Sequence, residues 1–129
     1  MRASPQAERF TIVVERTQAA LAGHATVAGS WRERLIGLLG RRELPEGEAV
    51  IFPRCNAIHT VGMRFPIDAV FVARSWRVVA LRAELRPGRL LVPIWRAWGV
   101  IELPGGKITR TALRVGDQLL VSVSGAATG

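Results

Sequence analysis

Short β-rich runs, most of them ended within a few residues by glycine or proline, constrain the fold of this chain more than any other sequence feature. Runs of this length at regular spacing favour an all-β barrel or sandwich over alternating strands and helices. The sequence therefore predicts an all-β fold, a compact barrel or jelly-roll-like sandwich of about eight short strands with one short helix. Candidate strands lie at residues 10–15, 25–28, 49–52, 57–61, 67–72, 78–81, 90–94, 98–103, 108–113 and 118–123.

One segment, from Ser30 to Gly40, has apolar residues at helical spacing instead. Ser30 with Glu33 three positions later forms a capping-box pattern, and Gly40 supplies a C-terminal stop. We expect this helix to cover or plug the barrel. Two glycine-containing turns are also predicted. Pro87-Gly88 suits a type II turn, and Pro104-Gly105-Gly106 suits a tight hairpin between two strands.

The length of 129 residues fits one domain, which we expect to span the whole chain with a core at residues 10–123 and frayed tails at 1–8 and 124–129. The N-terminus has no apolar block of the roughly seven residues that a secretory signal requires. No apolar run approaches the roughly 18 residues of a membrane span. We therefore expect a cytoplasmic protein without a membrane span.

The net charge of +8 is carried by arginine, which supplies 17 of the 18 basic residues. A nucleic-acid-binding surface needs clustered cations, whereas these arginines are dispersed along the sequence and there is no tyrosine for base stacking. We expect the partner to be a small molecule or a protein, not nucleic acid. The single cysteine excludes an internal disulfide, and both a monomer and a dimer remain open.

The segment from Cys55 to Val72, CNAIHTVGMRFPIDAVFV, gathers most of the polar chemistry of the chain. Its glycine and proline suggest a hairpin of residues 57–61 and 67–72, which would place Asp68 opposite His59 or Thr60. On an extended strand Cys55 and His59 share a face about 13 Å apart. That separation is too large for a thiol–imidazole hydrogen bond or for both side chains to bind one metal ion, unless a bulge or bend brings them together.

Several motifs resemble the bacterial and archaeal domain-of-unknown-function family 192. They are R-L-I-G-L-L-G-R at 34–41, L-P-E-G at 44–47, C-N-A-I-H-T-V-G-M-R-F-P-I-D-A-V-F at 55–71, V-I-E-L-P-G-G at 100–106 and V-G-D at 115–117. The resemblance implies a small β protein with a compact barrel or jelly-roll-like fold and no established activity. Many such relatives carry an N-terminal signal or anchor. The family pattern matches His59, Thr60, Met63, Arg64, Pro66, Ile67 and Asp68, and it matches residues 101–106 with Gly105 in place of alanine.

We interpret the chain as a non-catalytic binding or accessory domain with a polar pocket around this segment, without catalytic residues, metal or cofactor. The alternative is an enzyme, either thiol-dependent through Cys55 or a hydrolase using His59 with Asp68 and Glu102 as acid and base. A metal site built from the same four residues is a third possibility. The candidate binding residues are Cys55, His59, Thr60, Met63, Arg64, Asp68 and Glu102.

Two interpretations of Glu102 stay open. Strand alternation in Val100–Leu103 places its carboxylate opposite the apolar face, where it would meet solvent. It could instead face a concave rim with Asp68 and His59. In that case the nearby Trp95 and Trp98 would suit a sugar or peptide cleft, although tryptophans in barrels are more often core residues.

Overall fold

The computed structural model describes residues 8–29, 43–90 and 93–124. Seven strands and one helical turn are present in this part of the chain. The strands are β1 (Phe10–Val14), β2 (Ala20–Val27), β3 (Glu48–Pro53), β4 (Ile67–Val72), β5 (Val78–Leu85), β6 (Gly99–Pro104) and β7 (Leu119–Val123), and α1 (Lys107–Arg110) lies between β6 and β7. The helix predicted at 30–40 lies outside the described residues, as do residues 91–92 of the strand predicted at 90–94 and most of both predicted tails.

All seven strands form one curled sheet, a half-barrel with the strand order β5-β4-β6-β3-β2-β1-β7. Neighbouring strands are antiparallel except β2 and β3, which run parallel. The two edge strands meet where they begin, because Arg77 bridges Gln118 and the backbone N–H of Val78 donates to the carbonyl of Asp117 at 2.8 Å. The predicted mainly β, barrel-like fold is therefore confirmed.

Apolar side chains cover both faces of the central strands. One buried cluster, the inner cluster, takes residues from all seven strands and includes Ile12, Val70 and Ile101. A second, the outer cluster, covers the opposite face of β3, β4 and β6 and includes Phe71 and Val100. Every residue of β4 and β6 is buried, which explains why both strands are apolar on both faces apart from Asp68 and Glu102.

The predicted hairpin of residues 57–61 and 67–72 is wrong. β4 matches its predicted bounds, but it pairs with β5 and β6. Residues 57–61 form only an isolated bridge, between His59 and Leu90. The backbone of Thr60 is bonded to Gly88 and Arg89 instead.

The strand predicted at 108–113 and the hairpin predicted at Pro104-Gly105-Gly106 are also wrong. β6 pairs with β3 and β4, and the chain then enters α1. Gly106 precedes the helix with φ 92°, a conformation that glycine adopts without the strain a Cβ atom would cause. The predicted turn at Pro87-Gly88 is present, with Gly88 at φ 83°.

Candidate functional site

Asp68 organises the end of the half-barrel at which β4 begins and β6 ends. Its side chain is fully buried, and its Oδ1 accepts the backbone N–H groups of Glu84 at 2.7 Å and Gly106 at 3.0 Å. Its Oδ2 accepts the N–H of Ile108 at 2.7 Å. One carboxylate thus joins β5 and the start of α1 to β4, and it fixes the backbone of the Gly105–Gly106 turn.

A crevice of about 390 Å³ lies beside this turn, and we call it the Pro66–Pro104 crevice. Leu44, Phe65 and Pro104 are buried and give it an apolar floor. Charged side chains stand at its rim. The described lining residues are Glu43, Leu44, Glu46, Phe65, Pro66, Pro104, Gly105 and Arg110.

Glu46 bridges two cations at this rim. Its Oε1 accepts a hydrogen bond from Nη2 of Arg110 at 2.7 Å, and its Oε2 accepts one from Nζ of Lys107. The hydrogen bond from Lys107 is the largest cause that lowers the pKa of Glu46 below its ordinary value, and the charges of both cations add to it. The Glu46 side chain is nevertheless 59% exposed, so solvent screens these ion pairs.

Three motifs that are far apart in the sequence meet at this crevice. Leu44 and Glu46 come from L-P-E-G, Phe65 and Pro66 precede Asp68, and Pro104 and Gly105 belong to E-L-P-G-G. From the sequence, L-P-E-G is only one of the motifs that carry the family resemblance, and Pro104-Gly105-Gly106 is predicted only as a turn. Their shared Pro-Gly character was the available signal, but only the sheet order shows that they converge, because β3, β4 and β6 are neighbours.

Thr60 holds a ribbon of two loop segments on the outer face of the sheet. Its fully buried Oγ1 donates to the carbonyl of Arg86 at 2.6 Å and accepts the N–H of Arg89 at 2.8 Å. Farther along, the N–H of Ile94 donates to the carbonyl of Asn56, and that of Cys55 donates to the carbonyl of Trp98. Residues 55–61 thereby run antiparallel to 88–98, with 91–92 not described.

The remaining candidates on this ribbon have different surroundings. The thiol of Cys55 is half-buried and donates to the carbonyl of Ala57 at 2.9 Å, and Met63 is buried in the outer cluster. Nδ1 of His59 accepts the N–H of Val61 at 3.3 Å, while Arg64 is exposed. None of these four residues is among the described residues that line the Pro66–Pro104 crevice.

Glu102 and Asp68 lie on neighbouring strands but on opposite faces of the sheet. Asp68 is paired with Leu103 and faces the inner cluster, whereas Glu102 is paired with Val50 and Ala69 of the outer cluster. The Glu102 side chain is fully buried, so its interpretation as a solvent-facing carboxylate is wrong. The two carboxylates therefore do not face a common cleft.

The two tryptophans near Glu102 differ in their exposure. Trp98 is half-buried and packs edge to face on Trp76, with ring centroids 5.5 Å apart, and the guanidinium of Arg74 lies 5.7 Å from its ring. Trp95 is 85% exposed. Among residues 8–29, 43–90 and 93–124, no group of three or more histidine, cysteine or acidic side chains is arranged to hold a metal ion.

The fold and the site define a class of protein, a small β protein with one curled sheet and the Pro66–Pro104 crevice at one end. The chain matches the family model DUF192, described as "Uncharacterized ACR", over residues 12–121, and it belongs to that family. Comparison with curated proteins finds no match. The described part of the chain contains no helix with the length and apolarity needed to cross a membrane.

Two solved structures share the fold. A protein of unknown function from Novosphingobium aromaticivorans has a TM-score of 0.71 at 22% identity, and the match covers 92% of this chain and 91% of that one. A putative transcription regulator from Sinorhizobium meliloti has a TM-score of 0.75 at 19% identity, with 94% and 98% covered. Similarity at this level of identity supports the architecture alone.

Proposed function

We propose that this chain is a non-catalytic binding domain whose ligand occupies the Pro66–Pro104 crevice. The observation that carries the proposal is the convergence of three family motifs on one cleft. Ligand sites in proteins are typically concave and apolar, with a small number of polar groups that orient the ligand. The crevice combines an apolar floor with three charged side chains at its rim, those of Glu43, Glu46 and Arg110, so it fits that description.

The ligand class follows from the charges at the rim. Arg110 and Lys107 are held together by the carboxylate of Glu46, which is itself largely exposed. A guanidinium recognises a carboxylate well, because its planar donors match the two oxygens. We infer a small molecule or a peptide end that has an apolar body and a carboxylate, and that replaces Glu46 on the cations.

The composition of the crevice supports binding without catalysis. Its described lining contains no serine, cysteine or histidine, and Asp68 behind it already accepts three backbone N–H groups. Catalysis by a nucleophile and a base requires both groups within about 3 Å of each other and of the substrate. Cys55 and His59 lie on the ribbon, away from these residues.

Nuclear magnetic resonance titration tests this proposal. Short alkyl and aryl carboxylic acids, and peptides with free C-termini, should shift the backbone amide signals of Gly105 and Gly106. The matched primary amides should not. Arg110→Gln should weaken binding of the carboxylates, whereas Glu46→Gln should strengthen it several-fold, because it removes the internal competitor.

Two control variants locate the effect. Arg114 is exposed and is not among the lining residues, so Arg114→Gln should bind like the wild type. His24 lines a separate hollow of about 330 Å³ with Arg9, Thr26 and Glu48. If carboxylates shift no amide near the crevice, or if His24→Ala abolishes their binding, the proposed site is wrong.

A further inference from the structure

The ribbon of residues 55–61, 88–90 and 93–98 exposes apolar side chains. Relative exposure is 49% for Val61, 77% for Leu90 and 85% for Trp95. The backbone behind them is fixed by the hydrogen bonds of Thr60 and Asn56. These three side chains are therefore held outward by an ordered backbone, and they form what we call the ribbon surface.

The stretch of chain that carries these three side chains is rich in positive charge. Between Arg54 and Trp98 the sequence has eight arginines, all of them exposed, and two acidic residues. Asp68 is buried, so Glu84 is the one exposed acidic residue in that stretch. Arg89 directly precedes Leu90 and Arg96 directly follows Trp95, while Arg64 and Arg86 lie within four positions of Val61 and Leu90. This part of the molecule carries most of its net charge of +8.

We propose that the ribbon surface docks on an anionic lipid membrane. Val61, Leu90 and Trp95 enter the interfacial region, and the arginines bind the acidic headgroups. Tryptophan is favoured at membrane interfaces because its ring is apolar and its N–H is polar. Arginine side chains can keep the charged end at the headgroups while their methylene stems lie against apolar surface. The attraction to acidic lipids follows from the positive charge of this stretch.

A lipid surface fits these observations better than a protein groove or a nucleic acid. The Leu90 and Trp95 side chains project with most of their area free, so a partner must surround them from outside. A deformable interface does so without a shaped pocket. Nucleic acid would use the arginines, but phosphate recognition gives no role to Leu90 or Val61.

Vesicle sedimentation tests the inference. The full chain should bind vesicles of phosphatidylcholine with phosphatidylglycerol and should not bind vesicles of phosphatidylcholine alone. The Leu90→Ala/Trp95→Ala double variant should lose most of this binding, and Arg86→Gln/Arg89→Gln should weaken it. Added salt should weaken wild-type binding because it screens the headgroup attraction.

The matched control removes exposed apolar side chains from elsewhere on the molecule. Val115 and Leu120 are 58% and 44% exposed, and Val115→Ala/Leu120→Ala should bind as the wild type does. Equal thermal midpoints for the two double variants and the wild type would exclude unfolding as the cause of lost binding. Three results would overturn the inference: no vesicle binding, unchanged binding of Leu90→Ala/Trp95→Ala, or tighter binding to an oligonucleotide that does not depend on Leu90 and Trp95.

Discussion

Asp68 and Ile108 are 40 residues apart in the sequence, and the buried Oδ2 of Asp68 accepts the backbone N–H of Ile108 at 2.7 Å. The bond ties the first residues of β4 to the helical turn that follows β6. Together with the bonds to Gly106 and Glu84, it makes one side chain the structural centre of the end of the half-barrel that holds the Pro66–Pro104 crevice. The position of the crevice wall depends on this carboxylate.

Asp68→Asn should lower the free energy of unfolding by about 3 kcal/mol, because an amide NH₂ would replace an acceptor and leave at least one buried N–H without a partner. Urea unfolding measures the change. Glu84→Gln is the control, since that side chain is exposed and its loss should cost no more than about 0.5 kcal/mol. Equal stability of the two variants would show that Asp68 does not hold this end of the sheet.

The bounds of a strand can be predicted from the sequence where both of its faces are buried. The β4 segment is apolar on both faces apart from Asp68 and follows Pro66, so its composition and its boundary agree. Residues 108–113 were predicted as a strand but form a helical turn and a loop. The reason is tertiary, because Asp68 binds the N–H of Ile108 from a distant part of the sequence.

The candidate site was predictable only in part. The alternation of polar and apolar residues does not predict the burial of Glu102, because that argument assumes that one face of the sheet is solvated. In this fold the outer cluster covers that face of both β4 and β6. The roles of Glu46 and Arg110 depend on the neighbouring positions of β3 and β6, which no local pattern reveals. The motif residues themselves were visible in the sequence, but their meeting point was not.

Thr60→Val should destabilise the ribbon. The substitution keeps the side-chain shape but removes the hydroxyl that bonds Arg86 and Arg89, and it leaves the Arg86 carbonyl and the Arg89 N–H without this partner. We expect a loss of about 2 kcal/mol. Amide hydrogen exchange at Gly88 and Arg89 should accelerate. Thr109→Val is a control on an exposed residue of α1, and equal exchange rates in both variants would contradict the role of Thr60.

Acid should weaken the contact between the end of β1 and the loop that precedes β7. Arg16 donates to both oxygens of Asp117 at 2.7 and 3.0 Å, and this hydrogen bonding is the main cause that lowers the pKa of Asp117. A lowered pKa in the folded state gives stability that is present above the ordinary value of about 4 and is lost as the pH falls through the lowered value. The free energy of unfolding should therefore decline below about pH 4.

Arg16→Gln isolates this contribution. The variant should be less stable than the wild type at neutral pH, and the difference in the free energy of unfolding should narrow progressively when urea unfolding is repeated at pH values below about 4, as Asp117 becomes protonated. Arg82→Gln removes an exposed arginine elsewhere, and its difference in stability from the wild type should not change with pH. A difference between wild type and Arg16→Gln that is independent of pH would mean that the ion pair does not carry the effect.

Gly99 begins β6 at a position with no room for a side chain. A Cβ atom there would lie 2.9 Å from the carbonyl oxygen of Phe52, a backbone atom in the neighbouring strand that cannot rotate away. Gly99→Ala should therefore push β3 and β6 apart and cost about 1–3 kcal/mol, the range for overpacking a buried site.

Gly23→Ala is the matched control, because a Cβ atom at that β2 position would meet nothing within 4 Å. Urea unfolding should separate the two variants, with Gly23→Ala close to the wild type. The Gly99 variant should also shift the backbone amide signals of Phe52 and Val72, which flank it in the sheet. Equal urea unfolding midpoints for both alanine variants would mean that β3 and β6 can move apart without loss of stability. The close approach of the two strands at Gly99 would then be contradicted.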